Sequence, residues 1–107
     1  MKQETDPFYL SRRWQRLRRA ILARDGFRDA VAARYGRNLE ANTVHHIFPR
    51  REFPAYAWEP WNLVSVSELT HARLEDRTNG ELTAMGRELL RRTARKQGVE
   101  IPEKYAG

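Results

Sequence analysis

Three prolines, Pro49, Pro54 and Pro60, fall within one short stretch in the middle of the chain. Proline fixes φ and has no amide hydrogen, so this stretch continues neither a helix nor an internal strand. It reads as a loop. On either side lie short runs rich in β-branched and apolar residues, 43–48 and 62–66, which read as strands. Two strands joined by an irregular loop do not make a stable domain, so helices elsewhere must supply most of the core. At 107 residues the chain is long enough for one small domain and a modest core. It has no cysteine, so neither a disulfide nor a thiolate-bound zinc can hold that domain together.

Helical periodicity appears where the hairpin needs it. Ser11 is an N-cap for a helix to about Asp25, with Trp14, Leu17, Ile21 and Leu22 on the buried face and Gly26 as the stop. A second, shorter helix is expected within 27–37, ending at Gly36. Ser67 caps a helix of about three turns carrying Leu69, His71 and Leu74, which Asn79-Gly80 terminates. A last helix spans about 83–96, with Leu82, Met85, Leu89 and Leu90 toward the core. The predicted class is α+β and mostly helical, a hairpin and helix flanked by N- and C-terminal helices. Residues 1–7 read as a flexible lead, 8–97 as the domain with its core at about 43–78, and 98–107 as a tail.

The net charge is +6 and the excess is mostly arginine, whose planar guanidinium suits bidentate phosphate contact. Arg12, Arg13, Arg16 and Arg19 cluster on the first long helix, with Arg18 beside them. A polyanionic partner is expected, though a solvated basic face accounts for such a cluster equally well. No apolar run is long enough to span a bilayer and no hydrophobic segment follows Met1, so an intracellular, cytoplasmic protein without membrane contact is expected.

All three histidines lie near the loop: His45 and His46 on the first strand, and His71 at the start of the following helix, with Asn62 on the return strand. Histidine serves either as base or as neutral metal ligand near neutral pH. Adjacent residues on a strand point to opposite faces, which allows His45 and His46 different tasks. The order His-His, fifteen residues, Asn, eight residues, His resembles the HNH motif of the ββα-metal endonucleases. Phe8-Tyr9-Leu10-Ser11, then Trp14, Leu17 and Arg18, and Arg24-Asp25-Gly26-Phe27 after them, are similar to the N-terminal helix of small HNH proteins, so the likeness covers roughly residues 8–78.

That resemblance implies a metal-dependent endonuclease that nicks one DNA strand per site. It makes His45 and His71 ligands of one divalent ion (Mg, Mn, Ni or Zn), His46 the general base, and Asn62 the residue that orients the base or supports the loop. Glu75 stands where some relatives carry a further histidine ligand, four residues after His71. Arg50, Arg51 and Arg73 are expected at the substrate phosphate, with Arg12, Arg13, Arg16 and Arg19 as more distant contacts. Trp58 and Trp61 read as core or loop anchors.

One departure is systematic. Many relatives carry two Cys-x-x-Cys pairs that bind a structural zinc, and the corresponding positions here are Asp29 and Ala32, then Ser67 and Thr70. No structural zinc is expected, and apolar packing by Phe27, Val31 and Tyr35 is expected in its place. The expected partner is DNA, contacted by a monomer or weak dimer, with a phage packaging protein or an immunity protein as contextual partners. A non-catalytic basic DNA-binding module of the same fold and a nuclease toxin domain are the alternatives.

Overall fold

The computed structural model describes residues 6–107. Its first elements are a single helical turn, α1 (Pro7–Leu10), and the long helix α2 (Arg12–Arg24). Asp6 caps α1 by accepting from the Phe8 amide at 3.0 Å, with Pro7 in the first turn where no donor is needed. Ser11 caps α2 through the Trp14 amide at 3.1 Å, and α2 buries Trp14, Ile21 and Leu22 as its periodicity predicts. Most of the expected lead lies outside the described residues, but its last two, Asp6 and Pro7, begin α1.

The expected helix within 27–37 contracts to α3 (Ala30–Ala33). Gly26 and Phe27 both hold positive φ, 64° and 57°, and the resulting turn delays the start until Asp29 caps the helix. The sheet is one antiparallel hairpin of β1 (Thr43–His46) and β2 (Leu63–Val66), with His45 opposite Val64 and His46 opposite Leu63. Both strands are shorter than predicted. Phe48 is withheld from the ladder because Asn62, in a 3₁₀ turn (Pro60–Asn62), binds its backbone through a side chain.

After Ser67, α4 (Glu68–Leu74) has two turns and not three. The segment 76–81 forms a tight turn in which Asp76 accepts from the Thr78 amide and the Gly80 amide reaches Asp76 O at 2.7 Å. Asp and Asn side chains compete with helical hydrogen bonding in this way. Glu75 is thereby left extended, in an isolated bridge with Leu82. The last helix, α5 (Ala84–Gln97), is capped by Thr83 and closed by Gly98 in the left-handed region. It crosses α4 at Gly86, where a Cβ would lie 2.2 Å from the Leu74 carbonyl oxygen.

The hairpin is covered by three apolar groups, the smallest of which joins Val31 of α3, Val66 of β2 and Leu74 of α4. On one side Trp14, Ile21 and Leu22 of α2 meet Val44 and Leu63, with Phe8, Tyr9 and Trp58 at the margin. On the other, Ile47, Phe48, Leu82, Leu90, Ala94 and Tyr105 pack together with Trp61 and Leu89. Fully burying such a side chain contributes about 1.5–3 kcal/mol. The expected tail is part of this second group: Tyr105 is buried and its hydroxyl donates to Glu52.

The apolar anchor expected from Phe27, Val31 and Tyr35 is not what joins α2 and α3 to the hairpin. Val31 is buried, but Phe27 is 56% and Tyr35 61% exposed, because the left-handed turn at Phe27 and the end of α3 turn both rings outward. Hydrogen bonds hold the junction instead. Asp29, with no exposed surface, accepts from the Ala32 amide at 2.8 Å, the Ser67 amide at 2.9 Å and the Ser67 hydroxyl at 2.8 Å. Ser67 Oγ in turn lies 3.2 Å from Thr70 Oγ1 and caps the Thr70 amide. The four positions that carry cysteines in many relatives are thus joined into one polar cluster. Two residues earlier along β2, the Ser65 amide donates to Asp25, and the Leu63 carbonyl accepts from Arg24 at 2.8 Å. The outer edge of β2 is satisfied by side chains in place of a third strand.

Candidate active site

His45 leaves β1 toward α4 and is 1% exposed. Its ring centroid is 5.3 Å from that of His71, which α4 presents on its first full turn. His71 Nε2 lies 3.1 Å from Glu75 Oε1, and one ligand atom from each of His45, His71 and Glu75 falls within 4.8 Å of the others. Glu75 reaches this position as the extended residue after α4, fixed by its bridge to Leu82, and not from the helix face assumed from sequence. His71 and Glu75 stay partly open to solvent, which gives the cluster an entrance.

Neither ring nitrogen of His45 has a hydrogen-bond partner, although both are buried. Burial, with smaller effects from His71 and His46, pushes its pKa down to about 3, so the ring is neutral. A neutral imidazole beside a second imidazole and a carboxylate is a donor set suited to a divalent ion. The orphaned nitrogens are the test of fit: a cation here would supply one of them with the partner that the protein does not.

His46 points to the opposite side of the strand. Trp14 stacks against it at 5.2 Å with an interplanar angle of 20°, and Phe8 and Tyr9 approach edge-on at 5.7 and 6.2 Å. Nε2 lies 3.1 Å from the Ala57 carbonyl oxygen, a contact that requires the proton on Nε2 and leaves the lone pair on Nδ1. Burial lowers its pKa to about 4, opposed by the Ala57 contact and by Glu75 and reinforced by Arg50. The ring is therefore already neutral well below pH 6.

Asn62 does not touch His46. Its Oδ1 accepts from the Phe48 amide at 2.7 Å, and Nδ2 donates to Phe48 O at 3.2 Å and Tyr56 O at 3.1 Å. Of the two roles the resemblance allowed, the geometry matches support of the loop. That loop delivers the Ala57 carbonyl to His46, so Asn62 acts on His46 at one remove.

The arginines separate. Arg50 pairs with Asp6 and its guanidinium carbon sits 4.4 Å above the Phe8 ring and 5.2 Å from that of Tyr9; its buried Nε has no partner. Arg51 is exposed on the turn that follows. Arg73 is exposed two residues beyond His71, about 200° around α4 from it, so it does not join the cluster. Arg13 stacks 3.9 Å above Trp58, whereas Arg12, Arg16 and Arg19 project from the face of α2 away from Trp14. No carboxylate among the described residues pairs with any of these four.

Sequence reasoning gave Trp14 only a core position and overlooked Tyr9, Ala57 and Asp6. Burial raises the Tyr9 pKa, with Arg50 lowering it and Glu75 and Asp6 raising it further, so the phenol remains a donor at the rim of the site. Its position two residues before the Ser11 cap was the available signal.

No protein-family model matches the chain, and no curated protein does. Among solved structures it is similar to the HNH endonuclease of the deep-sea thermophilic bacteriophage GVE2, determined with a manganese ion. The two share 30% identity over 67% of this chain and 78% of the phage enzyme, with a TM-score of 0.62. The matched fold, with its antiparallel hairpin, following helix and clustered histidines, shows that the chain belongs to the HNH endonuclease family.

Proposed function

We propose that the protein is a metal-dependent endonuclease that hydrolyses DNA phosphodiester bonds, cutting one strand per site. The observation that carries this reading is the buried, neutral and unpartnered His45 beside His71 and Glu75, one residue from a second neutral imidazole with a free Nδ1. His45, His71 and Glu75 would hold a divalent ion, which when bound offsets negative charge on the phosphate and the departing oxygen. The manganese in the phage enzyme makes that ion the first to test.

His46 Nδ1 takes a proton from the water that attacks phosphorus; a new P–O bond forms as the ester P–O bond opposite it breaks. The Ala57 carbonyl and the Trp14 face hold the imidazole in the tautomer and orientation this needs. Asn62 keeps the loop that carries Ala57 closed. Arg50 meets a non-bridging phosphate oxygen, its stem and plane set by Phe8 and Tyr9. Arg51, Arg13 and the outer arginines of α2 contribute longer-range attraction to the polyanion.

The test is conversion of supercoiled plasmid to open circles by chelator-stripped protein with magnesium, manganese, nickel or zinc restored singly. Open circles that need metal and vanish in His46→Ala support the reading. Folded protein that binds DNA but cuts with no metal overturns it in favour of a binding module.

A further inference from the structure

Helix α4 has seven residues, too few to hold a defined place by its own hydrogen bonds. Its end is held by the Thr83 amide on the Leu74 carbonyl at 3.0 Å, and its start by a set of side-chain hydrogen bonds. Ser67 caps the Thr70 amide with its hydroxyl at 3.1 Å and accepts the His71 amide on its carbonyl at 2.9 Å. The two remaining donors of Ser67, its amide and its hydroxyl hydrogen, both go to one oxygen of Asp29, at 2.9 and 2.8 Å. The other Asp29 oxygen is engaged by the Ala32 amide at 2.8 Å, and the Asp29 amide reaches Leu39 O at 2.8 Å. The carboxylate is therefore immobile and fully buried, one residue removed from the residue that carries the His71 backbone.

We propose that Asp29 is a positioning residue for the metal-binding cluster, fixing His71 relative to His45 through Ser67. The proposal rests on the reading of His45, His71 and Glu75 as metal ligands. Ligand side chains must be held to within about 0.5 Å of productive geometry, and on so short a helix a shift at the cap is carried directly to His71. Only a carboxylate meets the demand at Asp29, because each oxygen must accept: an asparagine turns an NH₂ group either toward Ser67 or toward the Ala32 amide. Asp25, which accepts from the Ser65 amide inside β2, clamps the strand without touching the start of α4 and serves as the comparison.

The experiment is calorimetric titration of chelator-stripped protein with manganese, on wild type, Asp29→Asn, Asp25→Asn, Ser67→Ala and Ser67→Thr, each checked for folding by circular dichroism. Asp29→Asn is expected to weaken manganese binding about tenfold, and Ser67→Ala roughly threefold. Ser67→Thr restores the hydroxyl and should return affinity to near wild type, while Asp25→Asn lowers the melting temperature and leaves affinity unchanged. The double variant Asp29→Asn with Ser67→Ala should lose less than the product of the single losses, since both break one linkage. A folded Asp29→Asn protein with wild-type manganese affinity overturns the proposal, and so do equal affinities for Ser67→Ala and wild type if Asp29→Asn does not fold. Wild-type protein that takes up no manganese overturns the ligand reading itself, and this proposal with it.

Discussion

Helix α4 lies between two polar clusters that differ in how far their members are satisfied. At its start, Asp29, Ser67 and Thr70 are closed: each Asp29 oxygen has a donor and Ser67 is saturated. Along its face, His45, His71 and Glu75 are open: Glu75 meets His71, and both His45 nitrogens meet nothing. A buried polar group without a partner costs about 1–3 kcal/mol, whereas a satisfied one contributes modestly to stability. The closed cluster therefore serves the fold, whereas the open one leaves donor atoms free that the proposed divalent ion would use. The two respond to different perturbations, and the following measurements separate them.

The largest effect should come from His46, beside the open cluster. His46→Ala is expected to reduce cleavage about 10²–10⁴-fold while leaving manganese titration intact; a near-normal rate would remove it as the base. Next, Asp29→Ala strands the Ser67 and Ala32 donors and should cost about 3 kcal/mol in urea unfolding. A cost under half of that would mean the closed cluster is not a staple. Manganese at a hundred times its Kd should stabilise wild type by about 2.7 kcal/mol and leave a His45 variant unmoved. His45→Leu, which removes the two orphaned nitrogens, should raise the stability of the metal-free protein by about 1 kcal/mol as it abolishes metal uptake. Destabilisation on that change would show that His45 is structural.

The smallest and most discriminating test is acid titration of stability in the presence of chelator. His45 and His46 have pKa values lowered to about 3 and about 4, so between there and the ordinary value of 6.5 the unfolded chain binds more protons than the native one. Their contribution is complete above pH 6.5 and is lost as pH falls toward 4 for His46 and toward 3 for His45. Asp29, also lowered but from 3.8, holds its contribution until pH falls below about 3.8. His45→Leu should flatten the upper part of the curve and Asp29→Asn the lower; the reverse pattern would contradict both assignments.

Two members of the open cluster, His45 and His71, were legible in the sequence because they belong to a rare and ordered set, three histidines and one asparagine at set spacings around a proline-bound loop. Its third member was found by number, yet not by reason, since Glu75 reaches His71 after α4 ends, through a bridge to Leu82 that helical spacing does not reveal. The closed cluster was hidden. Asp29, Ser67 and Thr70 are ordinary capping residues, and only the fold brings positions 38 apart into hydrogen-bonding distance. Long elements with clear periodicity, α2 and α5, were read nearly to their ends. The short ones failed at their boundaries, where side chains of Asn62, Asp76 and Asp29 captured backbone groups that propensity assigns to helix or strand.

The edge of β2 has a consequence for behaviour in concentrated solution. Hairpins with free amides and carbonyls invite strands from other molecules, and a hairpin of four-residue strands has little burial with which to resist. Here Arg24, Asp25 and Asp29 occupy the groups at Leu63, Ser65 and Ser67 that an incoming strand would need. The side chains that fasten the helices to the hairpin thereby also block its templating edge, and loosening them would expose the molecule to self-association as well as to unfolding.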